Sequence, residues 1–140
     1  MKFKISIFMI FFCANTQAAT LDNLNATKQL CRSAADAFSS VNPRESYEIL
    51  REYWPLPEEE ITNLAYQTES QLKMVSNRFG NILGADYVGT KVAGSSFIEH
   101  TYIAKFEKHA VRYICVFYKP KANWIVNSIY WDDKTQLLFK

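Results

Sequence analysis

Apolar residues recur with two different periods along the chain, helical in the first half and alternating in the second. The helical spacing predicts helices over about residues 21–40, 43–53 and 57–80, with Ile82 extending the apolar stripe of the third helix and Gly80 or Gly84 ending it. The alternating spacing predicts strands over about residues 86–93, 97–107, 111–118 and 124–131. Because helices precede strands in separate blocks, we expect a single α+β domain.

The start of the chain has the pattern of a secretory signal. Two lysines among the first four residues precede an apolar run that ends at Cys13, and Ala18 stands at a position suited to cleavage. The run is far shorter than the roughly 20 residues that cross a bilayer. We therefore expect residues 1–18 to be a signal peptide and residues 19–140 to form an exported domain, periplasmic or secreted, without a membrane span.

The charge balance argues against a nucleic acid partner. The full chain has 16 Lys and Arg against 14 Asp and Glu, and removing a signal that contains two lysines leaves a neutral domain. Nucleic acid binding needs a basic stripe that neutralises phosphates, and the pattern contains none.

Two cysteines remain after the predicted cleavage, and they form a disulfide candidate. Cys31 lies in the first predicted helix and Cys115 in the third predicted strand. An oxidising compartment favours a bond between them. Two buried free thiols are the alternative, because cysteine is among the most buried residue types.

No motif indicates a cofactor, a metal or a catalytic nucleophile. Two histidines, His100 and His109, are too few for a zinc site with the two cysteines, and no phosphate loop or nucleophile elbow occurs. An acid and tyrosines in an apolar cavity could transfer protons as an isomerase does, although such residues are more often solvated or at the core edge. The pocket candidates are Asp36, His100, Tyr102, Tyr113, Tyr118 and Trp124.

The last two predicted strands carry residues that resemble a known family. The third strand ends in Val116-Phe117-Tyr118-Lys119-Pro120, and Asn123-Trp124-Ile125-Val126-Asn127 follows. With three helices before the sheet, this order resembles a small exported bacterial member of the nuclear transport factor two-like superfamily, which includes ketosteroid isomerase and SnoaL-type cyclases. The resemblance implies a cone, in which a curved four-stranded antiparallel sheet wraps a long helix and leaves a pocket. We expect Trp124 to close the sheet onto the third helix.

The resemblance does not extend to the isomerase's paired acids. The inward face of the second predicted strand carries His100 and Tyr102 instead of an acid. We therefore expect a non-catalytic domain that binds a small apolar ligand or a partner protein through the mouth of the cone. The alternatives are a small isomerase or hydro-lyase that pairs a pocket acid with Tyr102 or His100, and an inhibitor or immunity protein of a secreted toxin. No cofactor is expected, and a homodimer is left open.

Overall fold

A computed structural model describes residues 17–140 and places three helices before a four-stranded antiparallel sheet. The helices are α1 (Leu24–Phe38), α2 (Glu45–Arg51) and α3 (Glu58–Phe79). The strands, in sheet order, are β1 (Ile82–Ala93), β2 (Phe97–Phe106), β3 (Ala110–Tyr118) and β4 (Ile125–Asp132), and a 3-10 helix (Thr135–Phe139) follows. The α+β class predicted from the sequence is confirmed. The predicted signal peptide lies outside the described residues, except for its last two positions.

Local signals explain where the helices begin and end. Asn23 caps α1, because its side-chain oxygen accepts a hydrogen bond from the Ala26 N–H at 2.9 Å. Three glutamates in the first turn of α3 suit the positive end of the helix dipole. Gly80 ends α3 with a φ of 87°, a conformation that favours glycine. The prediction that Ile82 continues the helix was wrong, since Gly80 stops α3 and Ile82 begins β1.

The strand β1 is longer than its alternating pattern indicated. It begins at Ile82, which pairs with Phe106 at the far end of β2. The register between these strands shifts twice, between Ile82 and Gly84 and again between Tyr87 and Gly89. Each shift breaks the period of two that reveals a strand, so the sequence prediction recovered only the part from residue 86 onward.

The core lies between the three helices and the inner face of the sheet, and α1 is bound directly to the sheet. Cys31 of α1 is joined to Cys115 of β3 by a disulfide, with the two Cα atoms 6.0 Å apart. Both cysteines are completely buried. Farther along the same two elements, the rings of Phe38 and Tyr113 pack with centroids 4.7 Å apart. The middle and the end of the first helix are therefore attached to the central strand β3.

Two tryptophans near the last strand have different hydrogen-bond partners, and Trp124 is a core residue as expected. Trp124 is buried, but its backbone pairs with Leu21 through two hydrogen bonds of 2.8 Å, just before α1. The side-chain hydrogen bond between β4 and α3 comes from Trp131, whose indole N–H donates to Thr68 Oγ1 at 3.4 Å. No helix within residues 17–140 is both long enough and apolar enough to cross a membrane.

Candidate functional site

A cavity of about 960 Å³ opens between the end of α1, the middle of α3 and the start of the sheet. Small-molecule sites in proteins usually have volumes of roughly 300–1,000 Å³ and mostly apolar walls. The apolar part of this cavity is formed by Phe38, Leu72, Ile82 and Phe106, of which all but Ile82 are buried. Five small polar side chains complete the wall: Ser40, Ser70, Ser76, Asn77 and Asn81.

The rim of this cavity is apolar and carries one unpaired cation. Val41 is 97% exposed and Tyr66 is 56% exposed, although both have large apolar surfaces. Glu69 is neutralised by Arg44, whose Nε lies 3.3 Å from its carboxylate. Lys73 also lines the cavity and has no ion pair within residues 17–140. The arrangement suits an apolar molecule whose polar end lies near Lys73.

A second, polar groove of about 530 Å³ lies between α1 and the strands β1 and β2. Asp36 and Tyr102, two of the residues predicted to line a pocket, both line this groove. Burial raises the pKa of Tyr102, with a smaller increase from Tyr87, so its hydroxyl is neutral at physiological pH. Arg32 also lines the groove, with its Nε 4.0 Å from the Asp36 carboxylate.

His100, a third predicted pocket residue, lies buried beneath this groove within a chain of hydrogen bonds. Its Nε2 is 2.8 Å from Thr27 Oγ1 on α1, and its Nδ1 is 2.7 Å from Thr90 Oγ1 on β1. Thr90 Oγ1 is in turn 2.6 Å from the hydroxyl of Tyr87, which lines the groove. Desolvation, assisted by the positive charge of Lys28, lowers the pKa of His100 to about 4, so the ring is neutral at pH 7.

The donor and the acceptor in each hydrogen bond of this series follow from the bond between Thr27 and Leu24. The Thr27 hydroxyl donates to the Leu24 carbonyl at 2.7 Å, and a carbonyl can only accept. Thr27 Oγ1 therefore accepts from His100, which assigns the ring proton to Nε2 and leaves Nδ1 as an acceptor. Thr90 must then donate its single hydroxyl proton to Nδ1, and it accepts from Tyr87.

The other three predicted pocket residues lie outside both the cavity and the groove. Tyr113 is completely buried, and its hydroxyl lies 2.7 Å from Ser46 Oγ, while burial strongly raises the pKa of that hydroxyl. Tyr118 stacks on Phe97 with ring centroids 4.9 Å apart. Trp124 lies under Lys119, whose Nζ is 5.1 Å from the ring. These residues stabilise the fold at positions away from the two openings.

None of the six predicted residues lines the 960 Å³ cavity, so sequence reasoning missed its wall entirely. The cavity combines residues of α1, α3, β1 and β2 that have no common spacing in the sequence. One signal was present, because Val41 is an apolar residue in a polar turn between two predicted helices.

No group of three or more His, Cys, Asp or Glu side chains is arranged to hold a metal ion within the described part of the chain. In comparisons with known proteins, no family model, curated protein or solved structure matches the sequence.

Proposed function

We propose that this protein is an exported, non-catalytic domain that binds a small, largely apolar molecule in the cavity beside α3. The observation that carries the proposal is the cavity itself, with a volume of about 960 Å³ and walls that include Phe38, Leu72, Ile82 and Phe106. Burial of apolar surface contributes about 25 cal/mol per Å². Because Phe38, Leu72 and Phe106 are already almost fully covered, a ligand gains this free energy mainly by covering Val41 and Tyr66.

The surroundings of the cavity indicate the character of the ligand. The exposed side chains of Val41 and Tyr66 extend the apolar surface to the rim. Lys73 offers a cation to a polar or anionic end of the molecule, while Glu69 is held by Arg44. A partner protein that inserts one apolar side chain into the cavity would use the same surface. The dye titration below tests whether the cavity takes an apolar group, and native mass spectrometry of the protein from its own host distinguishes a small molecule from a partner.

The proposal includes export and a family. We interpret residues 1–18 as a signal peptide on the basis of their basic start, apolar run and Ala18. We also place the domain in the nuclear transport factor two-like superfamily, with the sheet curved into a cone. The order of three helices and a four-stranded antiparallel meander supports this assignment, as does an opening that lies between a long helix and the sheet.

Titration with a neutral apolar fluorophore, N-phenyl-1-naphthylamine, tests the binding proposal. We expect a saturable increase in fluorescence with the exported protein, because the dye emits strongly when it leaves water. Ser76→Phe places a ring in the cavity and should abolish the saturable signal. Gln67→Phe is the matched control: it lies on the same helix, about 180° away around its axis, and is exposed.

The two variants separate the cavity from general surface binding. Equal fluorescence of the two variants would show that the dye binds elsewhere, and absence of a saturable signal from the unmodified protein would contradict an apolar ligand. Both variants should unfold at similar urea concentrations, since each adds a ring at a position that is not fully buried.

A further inference from the structure

The polar groove between α1 and the sheet differs in chemistry from the apolar cavity and shares no lining residue with it. One wall is a polar stripe of α1 that contains Lys28, Arg32 and Asp36, which recur at helical spacing. The opposite side is formed by the inner face of the sheet and includes Tyr87 and Tyr102. Its volume of about 530 Å³ is sufficient for a small molecule.

The hydroxyl oxygen of Tyr87 can only accept a hydrogen bond from a ligand in this groove. The hydrogen-bond chain that begins at the Leu24 carbonyl commits the Tyr87 hydroxyl proton to Thr90 Oγ1, 2.6 Å away. Tyr87 lines the groove and is 43% exposed, and its oxygen accepts no hydrogen bond from the described residues, so its lone pairs remain for a ligand. A ligand group that satisfies this oxygen must be a donor, such as a hydroxyl.

The α1 side of the groove presents cations. Arg32 has its Nε 4.0 Å from Asp36, a distance beyond a hydrogen bond, which leaves the guanidinium N–H groups available for a planar anion. Lys28 lies with its Nζ 4.0 Å from the centre of the Tyr87 ring, which holds a second positive charge beside the acceptor oxygen. Asp86, the other acid of the groove, is neutralised by Lys105 at 3.1 Å.

From this juxtaposition we propose that the groove binds a small hydroxylated carboxylate of the sugar-acid class. The carboxylate pairs with Arg32 and Lys28, and a ligand hydroxyl donates to Tyr87 Oη. The neutral hydroxyl of Tyr102 on the groove floor donates to a second ligand oxygen. The groove and the apolar cavity are separate, so an experiment can refute the groove proposal without affecting the cavity proposal, and the reverse.

Isothermal titration calorimetry of the exported protein at pH 7 tests this site with three probes. We expect D-glucuronate to bind with a dissociation constant below about 1 mM, and D-glucose, which lacks the carboxylate, to bind at least about tenfold more weakly. Propionate, which lacks the hydroxyls, should also bind more weakly than glucuronate. Equal affinity for glucuronate and glucose, or no heat with glucuronate, would overturn the proposal.

Two variants and a control assign the binding to the groove. Arg32→Gln should weaken glucuronate binding by about tenfold or more, because it removes a charge-assisted pair. Tyr87→Phe should weaken glucuronate by about two- to tenfold and leave propionate unchanged, because it removes one neutral hydrogen bond. Arg78→Gln, an exposed arginine on α3, should change nothing. Wild-type affinity in Arg32→Gln, or parallel losses of both ligands in Tyr87→Phe, would refute the assigned roles.

Discussion

His100 should make the domain less stable in mild acid. The buried ring is neutral, with Nε2 donating to Thr27 and Nδ1 accepting from Thr90, and protonation would replace that acceptor with a second donor. The pKa of His100 is about 4 in the folded protein, against an ordinary value of 6.5. Each unit of difference between the folded and unfolded pKa values is worth about 1.4 kcal/mol, so the neutral His100 contributes about 3 kcal/mol to stability at neutral pH.

Stability falls with pH because the unfolded chain binds a proton at His100 before the folded protein does. As the pH falls below 6.5, the unfolded chain takes up a proton at His100 while the folded chain does not until about pH 4. This stability is therefore fully present above pH 6.5 and is lost progressively between pH 6.5 and 4.

Urea denaturation of the wild type and of His100→Gln at pH 7, 6, 5 and 4 measures the effect. Glutamine retains one donor and one acceptor but does not titrate, so it serves as the matched reference. We expect the wild type to lose about 3 kcal/mol more than the variant between pH 7 and 4. Asp132, whose pKa is lowered mainly by its hydrogen bond to Arg112, titrates alike in both proteins. Parallel stability curves for the two proteins would refute the reasoning.

Three further predictions concern the disulfide, a core tryptophan and export. Cys31 and Cys115 are 84 residues apart, so their bond should contribute up to about 4–5 kcal/mol by constraining the unfolded chain. Thiol counting without reductant on the processed protein, which lacks Cys13, should find no free thiol, and two per chain would refute the bond. Trp124→Ala should cost about 3–5 kcal/mol, measured by urea denaturation, because the ring is buried; an unchanged midpoint would contradict this. N-terminal sequencing of exported protein should begin at Ala19 or Thr20.

The sequence predicted the elements of this fold well where local signals were strong. Three glutamates in the first turn marked the start of α3, while its end was left between Gly80 and Gly84 until the structure placed it at Gly80. The start of β1 was missed because its pairing with β2 is irregular, and an irregular ladder leaves no alternating pattern to detect. The hydrogen bond from Trp131 to Thr68 of α3 was not predicted, since periodicity does not reveal which aromatic ring faces which helix.

The candidate sites were less predictable than the elements. Asp36 and Tyr102 do share a groove, with His100 beneath it, but nothing in the sequence pattern connects His100 with Thr27 and Thr90. These three side chains come from α1, β1 and β2, and only the tertiary arrangement brings them within hydrogen-bond distance. The apolar cavity was missed for the same reason, because its walls come from four elements with no common sequence spacing.

Native mass spectrometry of the protein purified from its own host tests the central claim most directly. We expect a mature chain that retains a small molecule, with the added mass lost in Ser76→Phe, which fills the cavity, and kept in Gln67→Phe. The measured mass of the bare mature chain, or a complex with a partner protein in place of a small molecule, would contradict the proposal that the cavity beside α3 is a ligand site.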